Sequence, residues 1–176
     1  ITQVGFATYG GITGNVIDII KPSGIQIGDV MLANIVQSET SSGDDLNLNV
    51  TSPGWTSIDG RDIASDNPEY WGTILYKVAG GSEPSNYIFN LDGQADGGIG
   101  SIIAFRGVDV TGGVTESGVA GGPFDVDPGI INGIQSDNAL SAASITTTSP
   151  NAAIIMFGLM ADDDNSDVIG WTTTSP

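Results

Sequence analysis

The stretch from Gly28 to Val36, GDVMLANIV, constrains the fold more than any other part of the chain. Val30, Met31, Leu32, Ala33, Ile35 and Val36 form a run about the length of one strand. A Gly-Asp turn precedes it and a Ser/Asp-rich loop, Ser38–Asp45, follows it. A short, nearly continuous apolar run between turn signals reads as a strand buried on both faces. Such a strand needs a neighbour on each side and a layer above and below it. The rest of the chain has to supply these.

Its residues suit strands and turns. Glycine alone accounts for 26 of the 176 positions, and no segment sustains a 3.6-residue apolar period, so helix content is expected to be close to nil. Ile1–Tyr9 alternates loosely and is expected to be a strand. Val16–Ile20 is a second, ended by Pro22, which cannot donate to a ladder. Leu46–Val50 alternates strictly. Pro53-Gly54 marks a turn before Trp55 and Ile58. Asp59–Tyr70 reads as an acidic loop. Trp71–Val78, Tyr87–Leu91 and Ile99–Val108 follow as strands. Gly112–Gln135 reads as a long loop with a short strand or two. Ala139–Thr148 and Ala152–Ala161 read as extended segments, the second a buried strand. The expected core includes Leu32, Ile35, Ile103, Phe105, Ile155 and Phe157. The fold class is all-β: an antiparallel β-sandwich with almost no helix, as one domain over residues 1–176.

Charge narrows the function. Twenty-one acidic residues face only Lys21, Arg61, Lys77 and Arg106, for a net charge of −17. Four scattered cations cannot neutralise a phosphate backbone or an anionic bilayer, so nucleic acid and membrane surfaces are poor partners. No apolar run approaches the roughly 18 residues that span a bilayer. The chain has neither Cys nor His. Disulfides, thiolate metal sites and Ser-His-Asp or Cys-His catalysis are therefore out of reach.

Two stretches match in order and chemistry. In one, DVMLANIV is followed by an acidic loop and GWTSI at Gly54–Ile58. In the other, AAIIMFGLMA is followed by DDDNSD and GWTTT at Gly170–Thr174. Duplication of a sheet unit is one reading, and a common β-protein pattern is the other. After the second Gly-Trp the expected strands do not follow. The last unit is then either continued elsewhere or completed by a neighbouring chain.

The series GDVMLANIV, PGWTSI, WGTILYKVAGGSEPSNYIFNL and GSIIAFRGVD resembles a widespread uncharacterised β-domain of bacterial surface proteins and phage tail or fibre proteins. That domain is marked by a GD-apolar run, a GW, a YYKVA…EP…YTF pair and an apolar-RGV segment. The resemblance covers roughly Ile17 to Thr174. It implies a jelly-roll-like sandwich in an extracellular, cell-surface or virion setting, and no catalytic residues.

Three groups of residues could carry chemistry. Asp162, Asp163, Asp164, Asn165 and Asp167 resemble a Ca²⁺ loop, although Val168 stands where the loop motif has glycine. A solvated acidic loop is the plainer reading. Asp44, Asp45, Asp59, Asp62, Asp66, Asp125 and Asp127 are weaker candidates. Trp55, Trp71 and Trp171 could form a sugar-stacking platform, but core packing is the more common use of a Trp after a Gly-marked turn. No acidic pair stands out from the 21 acids as a glycosidase dyad. Ile1, Val4 and Phe6 could form an assembly strand given to a neighbour, with Gly10, Gly11 and Gly14 as hinge. The expected role is a non-enzymatic structural or adhesive module of a surface filament, adhesin or virion fibre. Its partners would be copies of itself or neighbouring surface proteins, and it would require no cofactor. The alternative is a carbohydrate-binding module assisted by Ca²⁺, with glycans as partners.

Overall fold

A computed structural model describes residues 1–11, 14–39, 49–64, 69–129 and 142–158. Among these there is no helix, and the strands pair antiparallel throughout. They are β1 Thr2–Gly11, β2 Val16–Ile20, β3 Val30–Glu39, β4 Thr56–Ala64, β5 Glu69–Val78, β6 Asn86–Asn90, β7 Gly97–Arg106, β8 Gly113–Val114 and β9 Ala120–Gly122. One sheet has five strands in the order β1-β7-β3-β5-β4, a second pairs β2 with β6, and β8-β9 is a short hairpin. The all-β, sandwich-like class expected from the sequence is the one observed.

β3 occupies the centre of the large sheet, paired over its length with β5 on one side and β7 on the other. Successive side chains of a strand point to opposite faces. Met31, Ala33 and Ile35 face the small sheet. There they join Ile17 and Ile19 of β2, Tyr87 and Phe89 of β6, and Ile102 and Ala104 of β7 in the buried core. Backbone and side chains come very close at Gly100. A Cβ there would lie 2.6 Å from Ile35 Cδ1 and 2.9 Å from Ile19 Cδ1. A larger residue at this position would make both isoleucine side chains shift.

The even-numbered residues of β3 face the other way. Leu32 stands opposite Tyr76 and Ile103, and Val30 opposite Phe105, on that second face. The segment after β7 packs here: the Phe124 ring meets the Tyr76 ring edge-on with centroids 5.0 Å apart. Tyr76 Oη donates a 2.8 Å hydrogen bond to Glu116.

Three expectations need correction. The stretch read as an acidic loop, Asp59–Tyr70, contains most of β4 and the start of β5. β4 is an edge strand that carries charged residues, with the exposed Arg61 paired to the half-buried Asp59 at 3.3 Å, and it has two register breaks. Charge and bulges are how exposed edges resist further pairing, and they also erase the alternation that would reveal a strand. Next, the buried strand expected at Ala152–Ala161 is not found. Its described part forms no strand, and Ile154, Ile155 and Met156 are exposed. The described part of Ala139–Thr148 forms none either. Finally, Leu32 and Ile35 are buried as expected, but Ile103, Phe105 and Phe157 are only partly so and Ile155 is exposed. β7 is apolar at most positions, so its pattern could not tell which side faces the core. Of Leu46–Val50, only Asn49 and Val50 are described; neither is in a strand, and the next residue, Thr51, makes a single bridge to Asn90.

Ile35→Ala should lower the unfolding free energy by about 2–5 kcal/mol. Ile155→Ala should stay within about 0.5 kcal/mol of the parent. Denaturant melts of the two variants check this, and equal losses would contradict the placement of the core.

Candidate functional site

The sequence motifs that carry no reactive group converge at one end of the sandwich. Asp29 follows the Gly28 turn and leads into β3. Arg106 is the last residue of β7. Asp29 is 2% exposed, yet its carboxylate is fully engaged. Arg106 Nε donates to Oδ1 at 2.9 Å and Nη2 to Oδ2 at 2.7 Å, a two-pronged pair. The same Nη2 donates to the Gly24 carbonyl at 2.8 Å, and the Gln26 amide donates to Asp29 Oδ2 at 2.7 Å. The Arg106 hydrogen bonds hold the Asp29 carboxyl below the ordinary aspartate range, with a further contribution from the Gln26 amide. Charge-assisted, two-pronged bonds of this kind fix geometry more tightly than a point charge would.

A second polar group lies beside it. Ala79 follows β5, and its amide donates to the Asp29 carbonyl at 2.8 Å. Glu83 then turns back toward the sheet. It accepts from the Gly80 amide at 2.6 Å and from Tyr87 Oη at 2.8 Å, and Lys77 Nζ lies 3.7 Å away. Burial, and then the Glu83 carboxylate, push the Tyr87 hydroxyl well above its ordinary pKa. Lys77 crosses over Gly54 on its way. A Cβ on Gly54 would sit 2.7 Å from Lys77 Nζ, and Gly54 has φ +76°. Glycine answers both demands at the Pro53-Gly54-Trp55 turn. An open groove of about 570 Å³, lined by Lys21, Ile25, Ile27 and Gly80–Glu83, runs along this end. Of the groups facing it, Glu83 is bonded to the Gly80 amide and Tyr87, and Lys21 Nζ donates to the Glu83 carbonyl at 3.5 Å, so this polar layer closes the end of the core.

Trp55 sits inside that closure. Its ring meets Tyr87 edge-on at 5.2 Å and Phe89 at 5.3 Å, and it is buried. A ring so enclosed packs the core and does not offer a stacking face. Trp71 is partly buried against the core, and its Nε1 donates to Asn49 Oδ1 at 3.2 Å. Trp171 lies outside the described residues, as do Asp44, Asp45, Asp66 and the whole Asp162, Asp163, Asp164, Asn165 and Asp167 group. Asp59 pairs with Arg61. Asp125 accepts from Thr148, and Asp127 accepts from the Gly129 amide at 2.8 Å. Among the described residues, no three acidic side chains gather where a cation could be held.

The structure pairs Ile1, Val4 and Phe6 with β7 of the same chain or sets them beside it. β1 is the outermost strand of the large sheet. Val4, Ala7 and Tyr9 pack toward the core. Phe6, opposite Ile103, points to the second face and is 69% exposed. β1 spans ten residues without a charged side chain. Its single register break lies near the start, between Gln3 and Gly5. Of the two outer strands of the large sheet, this is the one lacking the charges found on β4.

No protein-family model, curated protein or solved structure matches the chain.

The Asp29–Arg106 pair sets a pH dependence. A carboxylate whose pKa is lowered by folding stabilises the fold above its unfolded value of about 3.9, and that contribution is lost as pH falls through the lower folded value. Arg106→Gln should therefore melt below the parent at pH 7, and the gap should close as the pH drops below about 4. Arg106→Lys should recover only part of the difference, since one ammonium cannot replace two prongs. A gap unchanged across this range would show that the pair does not carry the effect.

Proposed function

We propose that this chain is a non-enzymatic structural or adhesive module, a building block of a surface filament, adhesin or virion fibre, acting outside the cell or on a virion. The observation that carries this reading is β1. It is long and uncharged, is paired on one side only among the described residues, and carries the exposed Phe6 at its middle. A strand edge of this kind is a template for pairing with another chain unless charge, proline or a bulge blocks it. In a chain of net charge −17, an uncharged edge is where two copies can approach without repulsion.

The polar groups agree with a structural role. Asp29, Arg106, Glu83 and Tyr87 are bonded to one another or to backbone, and their arrangement closes the core. The resemblance to surface and tail domains points the same way. The glycan-binding alternative has no comparable support, because Trp55 is enclosed by Tyr87 and Phe89.

Light scattering across a concentration series, with electron microscopy of the concentrated sample, tests the proposal. Mass should rise with concentration toward oligomers or filaments, and more steeply at high salt, where the repulsion between acidic copies is screened. A monodisperse monomer at the highest attainable concentration would overturn it.

A further inference from the structure

The stretch of residues 142–158, AASITTTSPNAAIIMFG, carries no charged side chain. Its first half is tied down: Asp125 accepts hydrogen bonds from both the amide and the hydroxyl of Thr148. A turn follows at Pro150-Asn151, with Asn151 in the left-handed region at φ +64°. Beyond it, Ala152–Gly158 carries Ile154 at 67%, Ile155 at 38% and Met156 at 49% exposure. Among the described residues this run makes no ladder. Three large apolar side chains in succession, exposed and strand-forming, need an explanation.

We infer that Ala152–Gly158 is a donor strand that pairs, on a second copy of this chain, with the edge of β1 that no other described strand covers. This rests on the assembly reading above and names the segments that meet. The run has seven residues, as does the regular part of β1 from Gly5 to Gly11. Neither segment has a charge, in a chain with 21 acidic residues. Side chains at both parities of the run are apolar, so one set covers Phe6 on the second face in either register. The other set extends the core beside Tyr9.

Geometry favours another copy over the molecule's own β1. Thr148, at the root of the run, donates to Asp125, and the ring of the neighbouring Phe124 is seated on Tyr76 of β5. β5 lies three strands from β1 in the sheet, about 14 Å at the usual strand spacing. The linking turn advances the chain by less than about 7 Å. The run therefore begins on the β5 side of its own sheet. Among the described strands the other sheet edges are poorer acceptors: β4 is charged and broken in register, β2 is five residues long with Asp18 at its middle, and β6 is five residues long with Asn90 already bridged to Thr51.

Ile155→Asp/Met156→Asp in the full chain places two charges in the donor, and Thr8→Lys places one on the acceptor. Each should reduce assembly at least tenfold in the concentration required, with the melting temperature and near-ultraviolet circular dichroism of the monomer unchanged. The natural chain has no cysteine, so a chain carrying only Thr8→Cys can be mixed with one carrying only Ile155→Cys and treated with a short thiol cross-linker. Mixed dimers should exceed either chain alone. If the parent assembles but these variants assemble equally, or mixed dimers do not exceed the controls, the donor-strand inference falls and the assembly reading stands. If the parent never assembles, both fall.

Discussion

The two-pronged pair between Asp29 and Arg106 is the contact on which the arrangement of the large sheet depends. It joins the start of β3 to the end of β7, and Arg106 also holds the Gly24 carbonyl of the loop between β2 and β3. The Asp29 backbone is bonded to Ala79 just after β5. Three strands and one crossover are thus referred to a single residue, Asp29, and its partner Arg106. Glu83, seated between the Gly80 amide and Tyr87, extends the same polar layer across the mouth of the core.

The pair matters for specificity more than for gross stability. A buried ion pair rarely stabilises more than a well-packed apolar substitute would. Register, however, is set where a slip of one residue would expose apolar side chains. β3 is apolar on both faces, so a slip exchanges one apolar set for another and hydrophobic burial discriminates weakly. Groups with a single acceptable position then decide the alignment. Asp29 and Arg106 do so at one end. At the other, Gln37 is wholly buried and its side-chain Oε1 accepts from the Asp92 amide at 2.7 Å. Between them, Ile35 and Ile19 close over Gly100, where a Cβ would displace both of their Cδ1 atoms.

Much of this was legible in the sequence. β2 falls at Val16–Ile20 as expected, and β1, β3, β5, β6 and β7 lie within a few residues of their expected places, because turn glycines and prolines bound apolar runs there. β4 was hidden because an edge strand is guarded by the same charged residues that mark loops. The run from Ala152 misled for the opposite reason. Its apolar content is that of a buried strand, but composition does not say whether the partner belongs to the same fold. The role of Asp29, Glu83 and Arg106 could not be read from spacing. The pair is separated by 77 residues and only the sheet order brings it together. The sole hint was that charged residues are scarce, so a cation beside an apolar strand had to have a use.

A double-mutant cycle on the clamp tests this account most directly. Asp29→Asn, Arg106→Gln and the double variant would be compared by chemical denaturation at pH 7. Amide hydrogen exchange along β3 and β7 would be measured on each. If the clamp fixes the alignment of these strands, the double variant is little worse than either single one, and protection falls along both strands in all three. Additive losses, with protection on β3 and β7 unchanged, would contradict it.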